Sequence, residues 1–248
     1  MKPHHAIVLA AGRGSRLGDL TTERPKCLLP VLGRPLLEWQ MDALGAAGID
    51  TVGIVRGYQG QLLERPGVAL FDNPQWAATN MVRSLMCAAD WLRQHPCIVS
   101  YADLIYVETT VRRLAEADAD VAITFDRNWQ AQWEARFGDP LVDAETFAID
   151  PNNRVTDIGR KPIHLWEING QYMGLLKFTP RGWADVEGLL SSLEPGVVDR
   201  LDMTSLLQRL IVSGVRVHGV GITDPWFEVD SATDLAACEA ALSHLRRQ

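Results

Sequence analysis

The strongest constraint on the fold is an alternation of short apolar runs with helical segments along the first half of the chain. Four runs have the length of a buried strand: His5–Ala10, Thr51–Val55, Cys97–Tyr101 and Val121–Phe125. The helical patterns between them are Leu36–Ala47, Met81–Gln94 and Val107–Ala117. This order is typical of a parallel α/β sheet.

The second half predicts shorter elements. Its strands are Phe147–Ile149, Val155–Ile158, Gln171–Phe178, Val215–Val220 and Trp226–Val229, and its helices are Trp183–Leu193 and Thr204–Val212. Ser231 and Asp234 form a capping pattern before a final helix that runs to about Leu245. We expect one mixed α/β domain over residues 1–248, with a β-rich insertion at about 126–178 that covers one edge of the sheet.

Charge and composition exclude several classes of protein. The formal net charge is −7, whereas nucleic-acid binding favours a strongly basic surface. No apolar run approaches the roughly 18 residues of a membrane span, and no basic-then-apolar leader opens the chain. The cysteines form no C-x-x-C pair and are expected as buried thiols in a reducing cytoplasm: Cys27, Cys87, Cys97 and Cys238.

The charge is unevenly distributed along the chain. Residues 1–34 carry six basic and two acidic side chains, a net charge of +4, so the other 214 residues carry −11. Basic charge concentrated at one end of an acidic protein indicates a local anion site.

The first predicted strand ends in the glycine-rich turn Leu9–Gly18, LAAGRGSRLG. Small residues let backbone N–H groups approach an anion. The dinucleotide fingerprint G-x-G-x-x-G fails because Leu17 stands in place of the third glycine, and no Gly-Lys-Ser/Thr ends the turn as in a P-loop. A plain connecting loop would not require Arg13 and Arg16.

This turn, with Pro25-Lys26 close behind it, resembles the nucleotidyltransferase signature L-A-A-G-x-G-x-R-L followed by Pro-Lys. The resemblance implies a three-layer, Rossmann-like mixed sheet of the GT-A type, in which the turn wraps an NTP triphosphate. The family's nucleotide contacts would fall on Leu9, Ala10, Ala11, Gly12, Gly14, Ser15, Arg16 and Lys26. Arg16 and Lys26 would also be catalytic, because they neutralise the α-phosphate and the leaving pyrophosphate.

Three acidic residues are candidate ligands for the Mg²⁺ that accompanies a triphosphate. Asp103 follows a predicted strand, at the end where open α/β sheets bind ligands, although a turn aspartate is the alternative. Glu228 and Asp230 alternate on a late predicted strand and resemble the E-[IV]-D-S sequence of the phosphocholine-type branch. We favour Asp230 with Glu228 in support, and the sequence does not separate the two.

Base selection is assigned to Asn80 and Ser84, which lie one helical turn apart. They would contact a pyrimidine edge, although Asn80 as a helix cap is an equal alternative. The pattern N-x-x-x-S-L is similar to that of choline-phosphate cytidylyltransferases and favours CTP.

Acceptor binding is assigned to Lys161 and to aromatic residues of the insertion. Lys161-Pro162 stands where sugar-phosphate enzymes carry Glu-Lys-Pro, and Arg160 replaces the glutamate that grips sugar hydroxyls. This departure favours a small phosphate or phosphonate, although Lys161 as a surface lysine is an alternative. Trp129, Trp133, Trp166 and Tyr172 could hold a quaternary ammonium or pack in the core, and Asp139, Asp143 and Glu145 could pair with an amine.

The sequence therefore predicts a Mg²⁺-dependent cytidylyltransferase that transfers CMP from CTP to phosphocholine, an aminoalkylphosphonate or a phospho-amino-acid. The acceptor oxygen attacks the α-phosphorus in line and pyrophosphate leaves, so no protein nucleophile is required. The alternatives are a sugar-1-phosphate nucleotidyltransferase and a non-catalytic nucleotide sensor. The joint presence of the candidate catalytic and metal residues disfavours the sensor. The expected partners are small molecules, with no nucleic acid and no membrane, and a homodimer is left open.

Overall fold

The computed structural model describes residues 2–245 and has a seven-stranded mixed sheet at its centre. In chain order the strands are β1 (His5–Ala10), β2 (Pro30–Val31), β3 (Arg34–Pro35), β4 (Thr51–Arg56), β5 (Ala69–Asp72), β6 (Cys97–Tyr101), β7 (Leu104–Ile105), β8 (Val121–Asp126), β9 (Phe147–Ile149), β10 (Val155–Ile158), β11 (Gln171–Phe178), β12 (Val217–Ile222) and β13 (Phe227–Glu228). The order across the main sheet is β12-β8-β11-β6-β1-β4-β5. The other strands form three pairs, β2 with β3, β7 with β13 and β9 with β10.

Neighbouring strands of the main sheet are parallel except at β11, which runs antiparallel to β6 and β8. β1 lies between β4 and β6, with Ala6 opposite Val52 on one side and Ile98 on the other. The carboxyl ends of β1 and β6 therefore meet at one edge, where the amino-terminal half of β11 also lies. Ligands bind at this edge in open α/β sheets.

Helices cover both faces of the sheet: α1 (Leu36–Ala46), α2 (Met81–Met86), α3 (Ala89–Gln94), α4 (Glu108–Glu116), α5 (Trp129–Phe137), α6 (Pro180–Ser191), α7 (Pro195–Arg200), α8 (Met203–Val212) and α9 (Ala232–Leu245). Successive side chains of β1 point to opposite faces. Ile7 and Leu9 pack in the core cluster that includes residues of α2, α3, α6, α7 and α8, whereas Ala6 and Val8 pack in the cluster that includes residues of α1, α4 and α5. The predicted three-layer α/β architecture is confirmed.

The last helix, α9, packs over a third and smaller apolar cluster that includes Leu29 and Cys238. The predicted cap at its start is confirmed. The N–H of Ser231 donates to Asp234 Oδ2 at 2.9 Å, and the N–H of Asp234 donates to Ser231 Oγ at 3.1 Å. Asp230 therefore stands immediately before a fixed helix start. Within residues 2–245, no helix is long and apolar enough to span a membrane.

The prediction of one helix over Met81–Gln94 is wrong, because the chain forms α2 and α3 with a tight turn between them. The N–H of Cys87 donates to Ser84 O at 3.1 Å, and the N–H of Ala88 donates to Leu85 O at 3.0 Å. These bonds span three residues instead of four, which tightens the backbone and redirects the chain.

The region at about 126–178 also differs from the β-rich insertion that the sequence predicts. Gln171–Phe178 is β11, a central strand of the main sheet, and Trp129–Phe137 is helix α5. The β-structure outside the main sheet in this region is the antiparallel pair Phe147–Ile149 and Val155–Ile158. The strand order depends on pairing between residues far apart in the chain, which a local apolar pattern does not encode.

Candidate active site

The ends of three strands build the candidate site. β1 leads into the glycine-rich turn, β6 leads into Asp103, and β11 passes beside Tyr101 at Gly174. Gly174 has φ +79°, and a Cβ there would lie 2.6 Å from Tyr101 Cδ2. Only glycine allows β11 to run this close to the end of β6.

The glycine-rich turn packs directly on Lys26. Gly14 adopts the left-handed conformation, with φ 72° and ψ 48°. A Cβ at this position would lie 3.0 Å from both Cβ and Cδ of Lys26. Glycine is therefore required twice, for the backbone conformation and for the close approach to the lysine stem.

Lys26 lies between two carboxylates. Its Nζ donates to Asp103 Oδ2 at 2.7 Å and also to Asp230 Oδ1, and its side chain is 11% exposed. Burial alone would lower the pKa of Lys26, but the charges of Asp103 and Asp230 outweigh it, so the net pKa is raised and the ammonium form is favoured. Arg16 adds a second cation, with Nη1 2.9 Å from Asp230 Oδ2.

Asp103, Glu228 and Asp230 form one acidic group. Each offers a carboxylate oxygen, and these three oxygens lie within 4.8 Å of one another. Among residues 2–245, Asp103 Oδ1 is buried and has no hydrogen-bond partner. A buried carboxylate oxygen needs a partner, and hard divalent cations take oxygen ligands. These residues therefore fit a divalent metal ion.

Glu228 differs electrostatically from the other two carboxylates. Burial raises the pKa of Glu228 to about 7, and the charges of Asp103 and Asp230 reinforce this shift. Arg136 and Lys26 oppose it, and the Arg136 Nη1 atom lies 3.0 Å from Glu228 Oε2. Glu228 thus has its own cation within the group.

The first cleft at this edge lies along the glycine-rich turn. Its lining includes nine of the ten residues assigned to the nucleotide from the sequence: Leu9, Ala10, Ala11, Gly12, Gly14, Arg16, Lys26, Asn80 and Ser84. Ser15, the tenth, is outside this lining and begins a short 3-10 helix. Trp76, Thr79 and Met81 also line the cleft, and the sequence patterns did not single them out.

Asn80 and Ser84 both line the first cleft, but their polar atoms have protein partners. Asn80 Oδ1 accepts from the N–H of Met81 at 2.8 Å, and its Nδ2 donates to Arg200 O at 3.3 Å. Ser84 is buried, and its Oγ accepts from Asn73 Nδ2 at 3.0 Å. Asn80 is therefore a helix cap, the alternative that the sequence left open, and contact with a pyrimidine stays a prediction.

A second cleft adjoins the first and is strongly acidic. The two clefts share Arg16, Met81 and Tyr101 in their linings. The second is also lined by Trp133, Tyr172, Met173, Asp143, Glu145, Asp202, Thr204, Glu228 and Asp230, among others. Four of the residues that the sequence analysis named for the acceptor therefore lie here: Trp133, Tyr172, Asp143 and Glu145.

Glu145 and Asp202 are two acidic residues that line this second cleft. Burial raises the pKa of Glu145, as do the charges of Asp202 and Asp143, while a hydrogen bond from Thr204 opposes the shift. Thr204 Oγ1 lies 3.5 Å from Glu145 Oε1 and 3.4 Å from Asp202 Oδ1. Within residues 2–245, no ion pair joins Asp143, Glu145 or Asp202 to a basic side chain.

Other residues assigned to the acceptor lie outside both clefts. Trp129, the first residue of α5, is 5% exposed and belongs to a buried core cluster. Lys161 Nζ donates to Val142 O at 2.6 Å and to Leu141 O, so its ammonium tethers a loop. Trp166 is 76% exposed. Within residues 2–245, Lys161 lines neither cleft and makes no ion pair with the acidic group. Its contact with the acceptor therefore stays a prediction.

The sequence patterns also missed Arg136 and Asp202 in the site region. Arg136 lies on α5 and contacts Glu228, 92 residues later in the chain. Asp202 caps α8 by accepting from the N–H of Ser205 at 2.7 Å. The Asp202-to-Ser205 spacing is a capping signal that was available, whereas nothing local marks Arg136.

Comparison with known proteins identifies the family. A model described as the MobA-like NTP transferase domain matches residues 6–157, more than half of the chain. The CTP:phosphoglutamine cytidylyltransferase of Campylobacter jejuni subsp. jejuni is 33% identical over 247 residues, which cover 93% of this chain and 97% of that protein. The 2-aminoethylphosphonate cytidylyltransferase of Lancefieldella rimae is 37% identical over 106 residues, 41% of this chain and 43% of that protein.

The fold is shared with solved structures. The inositol-1-phosphate CTP transferase from T. maritima has a TM-score of 0.79 at 18% identity, covering 98% of this chain and 96% of that one. The resemblance drawn from the glycine-rich turn and Pro25-Lys26 is confirmed by these matches. The chain therefore belongs to the MobA-like NTP transferase family and is a nucleotidyltransferase.

Proposed function

We propose that the protein is a Mg²⁺-dependent cytidylyltransferase that transfers CMP from CTP to a small phosphorylated or phosphonate acceptor bearing a cationic nitrogen. One observation carries this proposal. Lys26, Asp103 and Asp230 meet where the cleft along the glycine-rich turn adjoins a second, acidic cleft. The two relatives support CTP, because both are named cytidylyltransferases.

The proposed reaction needs no protein nucleophile. An oxygen of the acceptor's phosphate or phosphonate attacks the α-phosphorus of CTP, and the bond to the bridging oxygen breaks to release pyrophosphate. Lys26 and Arg16 stabilise the charge that develops on the phosphate oxygens, and the turn around Gly12 and Gly14 supplies backbone N–H groups.

The metal site is proposed at Asp103 and Asp230, with Glu228 in support. The buried, partner-free Asp103 Oδ1 and the oxygen chemistry of the group are the reasons. When bound there, Mg²⁺ would neutralise phosphate charge and orient the α-phosphate. Lys26, bonded to both aspartates, keeps the two carboxylates turned toward each other.

The chemistry of the acceptor follows from the second cleft. Its lining includes Glu145 and Asp202, half-buried carboxylates without a basic side-chain partner among residues 2–245. Partial burial makes an unpaired carboxylate less favourable, so a cation of the substrate would be a suitable partner for them. Arg136 already lies over the Trp133 ring, 5.2 Å from its centroid. Because Arg136 lies over this aromatic ring, we expect the acceptor's cation to bind to the carboxylates and not to an aromatic cage.

The proposed function is tested with a matrix of substrates and pyrophosphate release as the readout. The four NTPs are each combined with 2-aminoethylphosphonate, phosphocholine, a phosphorylated amino-acid amide and glucose 1-phosphate. We expect turnover with CTP and with the nitrogen-bearing acceptors. A preference for UTP or dTTP with the sugar phosphate would replace the proposal by a sugar-1-phosphate nucleotidyltransferase.

Glu145→Gln is expected to weaken binding of the acceptor specifically. Loss of a charge-assisted bond of about 1.5–3 kcal/mol corresponds to a rise of about ten- to one-hundred-fold in the acceptor KM. The KM for CTP should change less than about two-fold, since Glu145 lies in the second cleft only. Steady-state kinetics with each substrate varied in turn provides the measurement, and Glu134→Gln on the exposed face of α5 is a matched control. Equal effects on both KM values would contradict the assignment.

The proposal extends to the cellular location, the domain organisation and the oligomeric state of the protein. We place it in the cytoplasm, because the four cysteines are free thiols, three of them buried. We treat residues 1–248 as a single domain, and a homodimer stays a prediction.

A further inference from the structure

Arg136 lies between Trp133, which lines the second cleft, and Glu228 of the acidic group. It lies on α5, its side chain is 9% exposed, and its guanidinium binds two carboxylates. Nη1 lies 3.0 Å from Glu228 Oε2, and Nε lies 2.9 Å from Asp234 Oδ1. The guanidinium carbon also lies 5.2 Å from the Trp133 ring centroid and 4.9 Å from that of Phe137. These contacts fix a planar fork whose geometry a lysine would not reproduce.

Asp234 links Arg136 to Asp230, because its carboxylate accepts hydrogen bonds from both residues. While Asp234 Oδ1 accepts from Arg136, its Oδ2 accepts from the N–H of Ser231 at 2.9 Å and from Ser231 Oγ at 2.8 Å. The same Oδ2 accepts from the N–H of Asp230 at 3.2 Å. Arg136 therefore reaches the backbone of Asp230 through one side chain.

The cations divide the acidic group into two parts. Asp103 and Asp230 share Lys26, and Asp230 also contacts Arg16. Glu228 is paired with Arg136. The carboxylate oxygens are close enough for all three residues to bind one ion, so the pairing decides which of them do so.

We infer that Arg136 is a positioning residue that keeps Glu228 paired and out of the metal's coordination sphere, while Asp234 holds Asp230 in place as a ligand. This inference rests on the proposed function for the presence of a metal, and it goes further by assigning unequal roles to the three carboxylates. Arg136 touches neither substrate nor metal in this role. It acts through Glu228 and Asp234.

The test measures binding of Mn²⁺ to the nucleotide-free protein, by the electron paramagnetic resonance signal of free Mn²⁺, beside CMP transfer. In Arg136→Met, Glu228 loses its cation and becomes a third carboxylate ligand. Because more anionic ligands tighten a divalent site, the Mn²⁺ dissociation constant should fall about ten-fold. Turnover should fall instead of rising, since Asp230 loses its support. Tighter metal binding with slower catalysis is a result that simple structural damage does not give.

Two further variants separate the roles. Arg136→Met combined with Glu228→Gln should return the Mn²⁺ dissociation constant to within about two-fold of the wild-type value, because the added ligand is then missing. Glu228→Gln alone should leave Mn²⁺ binding within about two-fold of wild type. This single variant tests the inference even where Arg136→Met fails to fold. Arg93→Met is the matched control, since Arg93 also binds two carboxylates, Glu187 and Asp90, but lies on α3 at the surface.

The inference is overturned when Arg136→Met binds Mn²⁺ as weakly as wild type or more weakly, or when Glu228→Gln alone weakens Mn²⁺ binding ten-fold. The second result would make Glu228 a ligand. Failure of the proposed function is seen separately, as absence of CMP transfer by the wild-type protein. The Mn²⁺ measurement contains no nucleotide and does not depend on that outcome.

Discussion

Lys26→Met is expected to reduce turnover by about 10³-fold while leaving the protein folded. Methionine keeps the length of the stem that packs against Gly14 but removes the ammonium. Removing one preorganised group that stabilises transition-state charge costs about 10²–10³ in kcat. We expect a loss at the upper end of this range, because the same ammonium also pairs with Asp103 and Asp230. Pyrophosphate release at saturating CTP and acceptor is the measurement.

The matched control for this change is Lys2→Met. Lys2 pairs with Glu116 at 2.8 Å on the exposed surface, and surface ion pairs contribute little. Turnover of the control should stay within about two-fold of wild type, and thermal unfolding should be measured for both variants. Near-normal turnover of Lys26→Met would remove the central step of the proposed mechanism.

Asp103→Asn is expected to reduce turnover by about 10²–10³-fold and to raise the Mg²⁺ concentration needed for half-maximal rate. The change removes a carboxylate with two roles. Its Oδ1 is buried without a hydrogen-bond partner within residues 2–245, and its Oδ2 accepts from Lys26. An amide of the same size can fill the space but supplies neither the charge nor a second oxygen ligand.

Rates of Asp103→Asn are to be measured across a Mg²⁺ titration, with Asp90→Asn as the surface control. Asp90 is 82% exposed at its side chain and pairs with Arg93 on the same helix. A variant with reduced turnover but an unchanged Mg²⁺ requirement would place Asp103 outside the metal site. Its contribution would then be limited to holding Lys26.

Local sequence patterns predicted the parts of the site that lie on neighbouring strand ends. The turn after β1 and the aspartate after β6 were found because parallel strands end at one edge, and these ends are adjacent in the sheet. The family assignment from the turn and Pro25-Lys26 is confirmed by the family match. The roles of individual site residues, including Asp103 and Lys26, remain predictions.

What the sequence did not reveal depends on contacts between distant segments. The strand Gln171–Phe178 has an ordinary apolar pattern, and nothing in it indicates that it inserts antiparallel between β6 and β8. Arg136 is one of twenty arginines, and only the fold brings it to Glu228. Trp129 and Trp133 lie four residues apart on one helix and in one core cluster, yet of the two only Trp133 also lines the second cleft. Side-chain periodicity does not make that distinction.

The position of Lys26 also has a consequence for how the protein is made. The lysine is 77 residues from Asp103 and 204 residues from Asp230 in the chain, yet it binds both. A growing polypeptide leaves the ribosome from its amino end, so the glycine-rich turn emerges long before the residues that complete it. Such long-range contacts are slow to form. Lys26 can therefore bind both carboxylates only after the chain has been synthesised as far as Asp230.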